Sequence, residues 1–221
     1  MAADKLDYKN AFKDLYLPPK KPVLIDVPAM PFIMVDGMGN PNDEGGDYQS
    51  SVELLYGLSY TIKMSKNGKQ RLQGYFDYVV PPLEGLWWMD GRELDLSDKD
   101  HYSWTSMIRQ PEFVTAEVFR WACAEIARKK PLLDVSKARF QTFQEGLCVQ
   151  MMHIGPFEKE SETMAQMENY IEGHQLRNAI STVRPDGTIK RHHEIYLSDP
   201  RKSMPEKRKT VIRHPVVPIV S

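Results

Sequence analysis

"HHEIYLSDPRK", residues 192–202, decides how the rest of the chain is read. Two histidines and a glutamate lead into Ile195, Tyr196 and Leu197, and the run stops at Pro200. As a β-strand it alternates its side chains between two faces. His193, Ile195 and Leu197 then share one face, and His192, Glu194, Tyr196 and Ser198 the other. A face with a carboxylate beside a phenol either meets water or lines a pocket that uses them.

Working backwards, "RPDGT" (184–188) is a turn, and "PFEKESETMAQMENYIEG" (156–173) has helical spacing with Met164, Met167, Tyr170 and Ile171 inward. "KARFQTFQEGLCVQMMHIG" (137–155) predicts two strands around Glu145-Gly146, and "KTVIRHPVV" (209–217) a closing strand. The first half runs in the same order. An extended run, "VLIDVPAMPFIMVDGMGNPNDEGGD" (23–47), breaks at a Gly/Asn/Pro/Asp cluster. A helix follows with Val52, Leu55, Tyr56, Ser59 and Ile62 at helical spacing, then a turn at Asn67-Gly68. "GYFDYVV" (74–80), "EGLWWM" (84–89) and "HYSWTSMIRQ" (101–110) read as strands. A further helix is predicted from Pro111-Glu112 to "RKKP", with Val114, Val118, Trp121, Cys123 and Ile126 on its apolar side and Trp121 in the core.

Gly39 and Gly155 each end a strand before a helix, 116 residues apart, and Gly68 and Gly187 each mark the turn after it, 119 apart. One offset nearly superposes the halves, which predicts a duplicated strand–helix–strand–strand unit. The expected class is α+β: a pseudo-twofold pair of such units (SHS2-type) in a single domain, 1–221, with halves at 22–130 and 131–221. Each antiparallel sheet would carry helices on one face. The opposite faces would confront each other across a central ligand cleft.

Composition narrows the function. With 29 basic and 30 acidic residues the net charge is −1, so no global field draws nucleic acid or an anionic membrane. The basic cluster from Arg201 to Arg213 reads as a solvated tail or edge strand. The 41% hydrophobic content supports a core. Two cysteines, Cys123 and Cys148, without CxxC spacing read as buried free thiols. "MAADKLDYKNAFKDLY" lacks an apolar signal core and no run reaches spanning length, which predicts a cytoplasmic protein. His153, His192 and His193 show no metal-site signature, and no cofactor is expected. "GMGNPN" is a tight turn rather than a phosphate loop, and no nucleophile elbow is present.

The pieces "LIDVPAMPFIMVDGMGNPND" (24–43), "VVPPLEGLWW" (79–88), "MIRQPEFVT" (107–115), "QEGLCVQMMHIGPF" (144–157) and "HHEIYLSDPRKSMPEKRKTVIRHPV" (192–216) together resemble the stand-alone GyrI-like small-molecule-binding proteins. These are related to the effector-binding domains of AraC- and MerR-type regulators. The resemblance spans about residue 13 to residue 217, in family order. It implies a cleft for hydrophobic, often aromatic, ligands, and in one branch hydrolysis of cyclopropanoid DNA-alkylating antibiotics. It places a cleft carboxylate at Glu194, with Tyr196 beside it, and a cleft tryptophan at Trp87. Fewer than about thirty residues precede the first strand, too few for a helix-turn-helix domain, so a transcription-factor role is not expected.

Glu194 and Tyr196 are therefore the candidate catalytic pair, a general base and a phenol that assists it. Trp87, Trp88, Tyr75, Tyr78, Trp104, Met151, His153 and His192 are the candidate ligand-binding residues. Strand alternation puts Trp87 and Trp88 on opposite faces, and which one meets the ligand is open. The first expected function is hydrolysis of electrophilic xenobiotics; the second is binding without turnover that sequesters hydrophobic or cationic compounds; a third and weaker one, suggested by the gyrase-inhibiting relatives in the family it resembles, is that of an interaction protein. No protein partner is assigned.

Overall fold

The computed structural model describes residues 5–67, 72–91, 94–95, 97–199 and 201–219. The expected turn at Gly68 and the stop at Pro200 lie outside them. Two short helical turns, α1 (Tyr8–Ala11) and α2 (Lys13–Tyr16), lead into strands β1 (Val23–Val27) and β2 (Met30–Met38). Then come helix α3 (Asp47–Lys63), strands β3 (Leu83–Trp88) and β4 (Ser103–Arg109), and helix α4 (Ala116–Lys129). The second half supplies β5 (Ala138–Phe143), β6 (Gly146–Ile154), α5 (Glu160–Gly173), β7 (Leu176–Asn178), β8 (His192–Tyr196) and β9 (Lys209–Pro218).

Two strand–helix–strand–strand units are present, β2-α3-β3-β4 and β6-α5-β8-β9. They merge into one antiparallel sheet ordered β1-β6-β9-β8-β3-β4-β2-β5, with β7 added beside β9. Outward from the central β3–β8 pair the order is the same on both sides. The strand that leads each unit pairs with the other unit, β1 with β6 and β5 with β2. The halves therefore hold each other at three places.

This corrects the expected groove between two sheets. Leu83 to Trp87 pair with Tyr196 to His192, so the two sheets are hydrogen-bonded edge to edge. The helix-free face is not open either. Tyr8, Leu15 and Tyr16 pack on it, against Phe32, Met34, Met107 and Ile195. On the helix face α3 and α4 cover Ile33, Val35, Trp104 and Ile108, while α5 covers Val149, Met151 and Ile212 through Met167 and Ile171. The middle of the helix face, over β3 and β8, lies between these two covers.

Local differences have local causes. Residues 74–80 join no sheet; Leu6 and Tyr78 make an isolated bridge. The hydrogen bonds there go to the arm, Leu6 N–H to Asp77 and Val79 N–H to Leu6. The helix expected from Pro111 starts at Ala116, because the Thr115 side chain caps the Val118 N–H. Removing that cap, Thr115→Ala, is expected to cost about 1 kcal/mol in chemical denaturation. Arg213 departs from the reading of its cluster as solvated. It lies on a strand between β6 and β8, is fully buried, and pairs with Glu145 at 3.0 Å.

Candidate functional site

A row of directly paired residues crosses the helix face: Val35, Ser106, Gly85, Glu194, Ile212 and Met151. Paired residues in antiparallel strands point to the same face. Ser106 and Gly85 are small, so the row sinks beside Glu194. Tyr48 of α3 stands over this dip, 5.5 Å from the Trp87 ring and 5.2 Å from Trp104. The result is a wide groove of about 1890 Å³ between α3 and the start of α5, with Glu194, Tyr196, Trp87, Tyr48, Tyr102 and Glu160 on its walls and floor.

Gly85 is needed where it is. A Cβ there would sit 2.6 Å from Trp87 Nε1 and 3.2 Å from the Tyr196 hydroxyl. Gly85→Ala is expected to cost about 1–3 kcal/mol, as overpacking does. It should also displace the Trp87 indole, which tryptophan fluorescence would report.

Glu194 is 7% exposed, and its Oε1 meets His192 Nε2 at 3.0 Å. His192 Nδ1 in turn meets His214 Nε2 at 2.8 Å. A carboxylate at Glu194 requires the proton on His192 Nε2, so His214 donates from its Nε2. The His214 Nδ1 has no hydrogen-bond partner among the described residues. Burial and the adjacent His192 hold His214 down at about 3, so it stays neutral. A file of two buried imidazoles thus fixes the orientation of Glu194 from behind.

On the open side stands Glu160, the first residue of α5 and 2% exposed. Its carboxyl lies against that of Glu194. Burial first, and then the Glu194 charge, raise it well above the usual carboxylate range. The helix N-terminus favours the anion there, but that effect is small beside desolvation and a like charge. Glu160 therefore holds its proton more tightly than an ordinary carboxylic acid, beside Glu194 in an aromatic enclosure.

Tyr196 accepts a hydrogen bond from Trp87 Nε1 at 2.8 Å. Its own hydroxyl lies within hydrogen-bonding reach of Glu194 and Tyr48. Burial, and next the charge of Glu194, raise the phenol well above its ordinary value, as burial also does for Tyr48 and Tyr102. All three remain neutral donors at physiological pH.

Of the candidate catalytic and ligand-binding residues, Glu194, Tyr196 and Trp87 come together on the groove, and the others do not line it. Trp88 faces the other side of the sheet, under Arg191 at 4.3 Å, with its Nε1–H on Asp90. Tyr75 and Tyr78 pack around Phe113, because their segment belongs to no sheet strand. Trp104 is fully buried beneath Tyr48. Met151 packs with Met167 and Ile171 under α5. His153 ties β6 to α5 through Thr163 at 2.8 Å. His192 acts one layer back, on Glu194. Trp121, expected in the core, is half-buried on the groove's rim.

Sequence reasoning missed Glu160, Tyr48 and Phe157. A signal existed for Glu160: it shares the buried face of α5 with Thr163, Met167 and Ile171, at helical spacing. A carboxylate on that stripe is the anomaly to notice.

Comparison with known proteins fits this geometry. No curated protein matches the chain. Among solved structures, a hydrolase from Listeria innocua is 50% identical, with a TM-score of 0.84 over 96% of this chain and 100% of its own. An uncharacterized conserved protein from the same organism is 52% identical, with a TM-score of 0.88 and the same coverage. The EcmrR C-terminal domain shares the fold at 12% identity, with a TM-score of 0.52 over 90% of this chain and 98% of that one. The model of the GyrI-like small molecule binding domain matches residues 20–217, and the chain belongs to that family.

Proposed function

We propose that this small-molecule-binding protein is a hydrolase of cyclopropanoid or other electrophilic, hydrophobic compounds, acting without an organic cofactor in cellular detoxification. The observation that carries the reading is Glu194: a carboxylate fixed by His192, open to an aromatic groove, with a neutral phenol at Tyr196. The hydrolase from Listeria innocua, half identical over nearly the whole chain, supports it. Residues 22–130 and 131–221 are read as the two halves of this one domain, and the cytoplasm as its compartment.

In this scheme Glu194 removes a proton from water as the water attacks the ring methylene. The strained C–C bond breaks, and its electron pair moves to the carbonyl conjugated with the ring. Tyr196 donates a hydrogen bond to that oxygen, which then takes up a proton as Glu194 releases the one it removed, so the net change is the addition of one water. Trp87, Tyr48 and Tyr102 align the flat substrate. Ring strain has already lowered the barrier, so acid–base assistance of about 10²–10⁴ suffices.

The second reading is sequestration. One negative charge within an aromatic enclosure also suits a bound organic cation. Purified protein is mixed with a cyclopropane-bearing electrophile and the products are analysed by mass spectrometry. Catalytic gain of one water supports the hydrolase. Unchanged compound with quenched tryptophan fluorescence supports sequestration.

A further inference from the structure

The scheme above gives Glu160 no task, although its carboxyl lies against the proposed base and lines the same groove. Its Oε1 has no hydrogen-bond partner among the described residues. A buried acid in contact with a carboxylate locked by His192 is an acid and a base set next to each other on one floor. Opening a conjugated cyclopropane makes little use of such an acid, since the electron pair leaves for a distant carbonyl. An oxirane does need it. Its leaving oxygen is bonded to the attacked carbon, becomes a strongly basic alkoxide, and requires a proton in the same step.

We infer that the groove also hydrates epoxides, with Glu160 as the proton donor to the oxirane oxygen and Glu194 as the base that activates water. This rests on the hydrolase reading of the groove and extends its substrate class to aryl-substituted epoxides. The water oxygen bonds to a ring carbon, and one water proton passes to Glu194. The C–O bond breaks, its electron pair stays on oxygen, and that oxygen takes the Glu160 proton. The product is a vicinal diol, the net addition of one water. Glu194 now holds a proton and Glu160 is charged. Transfer between the touching carboxyls restores both. Tyr48, Trp87 and Tyr102 provide the surface for the aryl group.

Besides Glu194 on β8, the groups facing Glu160 are Glu158 in the turn before α5, Lys99 before β4, and the phenols of Tyr102 and Tyr196. Lys99 and Glu158 offset one another across 3.9 Å. Glu194 is thus the main charge that Glu160 meets.

The test uses the full chain with trans-stilbene oxide in ¹⁸O-water, and in parallel a cyclopropane-bearing dienone, each with wild type, Glu160→Gln and Glu194→Gln. Wild type is expected to form diol carrying one labelled oxygen. Glu160→Gln should lower kcat/KM for the epoxide about 100-fold or more. It should change cyclopropane turnover far less, and an unaltered circular dichroism spectrum and denaturation midpoint show that the variant is folded. Glu194→Gln should lose both reactions. In wild type, diol formation should fall at alkaline pH as Glu160 loses its proton, while cyclopropane opening should not share that limb. Cyclopropane turnover without diol, or equal loss of both reactions in Glu160→Gln, overturns the assignment and leaves the hydrolase reading intact. Turnover of neither compound overturns both.

Discussion

Glu194→Gln is expected to lower kcat for a cyclopropane-bearing substrate by about 10²–10⁴, with KM little changed, in a mass-spectrometric assay of the water adduct. The amide keeps the shape and can still bond His192, so the site should remain assembled. What it lacks is a lone pair basic enough to take a proton from water. Glu160 cannot substitute while it is protonated, and relieving it of the Glu194 charge removes only part of its shift, because burial is the larger cause. Undiminished turnover in Glu194→Gln would exclude the general-base role. A rise in KM with kcat unchanged would mean that Glu194 only binds.

The second large effect concerns stability, on the opposite face of the same strand. His193 is buried between Glu145 at 2.9 Å and Glu84 at 3.1 Å, and Arg213 reaches the same Glu145 oxygen at 3.0 Å. Arg213 also donates to Gln150 and to the Leu15 carbonyl, and Tyr16 donates to Glu84. These charges join β3, β8, β9, the turn before β6 and the N-terminal arm. Against the cost of burial, His193 and Arg213 hold Glu145 down at about 2, and the two glutamates lift His193 to about 9.

Glu145→Gln leaves the buried Arg213 and His193 with Glu84 as their one remaining carboxylate among these groups, and is expected to destabilise the protein by about 3–5 kcal/mol in denaturant unfolding. The pH dependence has a definite sign. Glu145 is depressed from 4.5, so its contribution is full above that pH and is lost as pH falls through about 2. His193 is raised from 6.5, so its contribution is full below that pH and is lost as pH rises through about 9. The stability difference between wild type and Glu145→Gln should therefore be greatest from pH 4.5 to 6.5 and shrink on both sides. Taking the difference removes the opposing titration of Glu160, which both proteins share. A difference that is flat with pH would show that these ion pairs carry no net stabilisation.

Periodicity along the chain was enough to place most elements. Alternation in "HHEIYLS" put Glu194 and Tyr196 on one face and His193 and Ile195 on the other, as found. Helical spacing located α3 and α5, and the paired glycines Gly39 and Gly155 both adopt positive φ, at 105° and 146°. These features are set by the backbone's own repeat and by single residues. The reading failed where the partner lies far away in the chain. "GYFDYVV" has a strand's composition but meets Leu6 instead of a sheet edge. Trp88 and Trp104 are aromatic strand residues like Trp87, yet only Trp87 reaches the groove.

The sequence by itself determined the repeating order of elements, the face on which each strand residue lies, and the family. Those follow from local sterics and from motifs that stay contiguous. Only the tertiary structure decided that β3 and β8 join the halves into one sheet, that the N-terminal arm closes the helix-free face, and that Glu160 from α5 meets Glu194 from β8. Strand pairing and the meeting of two carboxyls depend on long-range burial. No periodicity encodes which distant side chain will be pressed against which, and the proton Glu160 retains is a consequence of that packing.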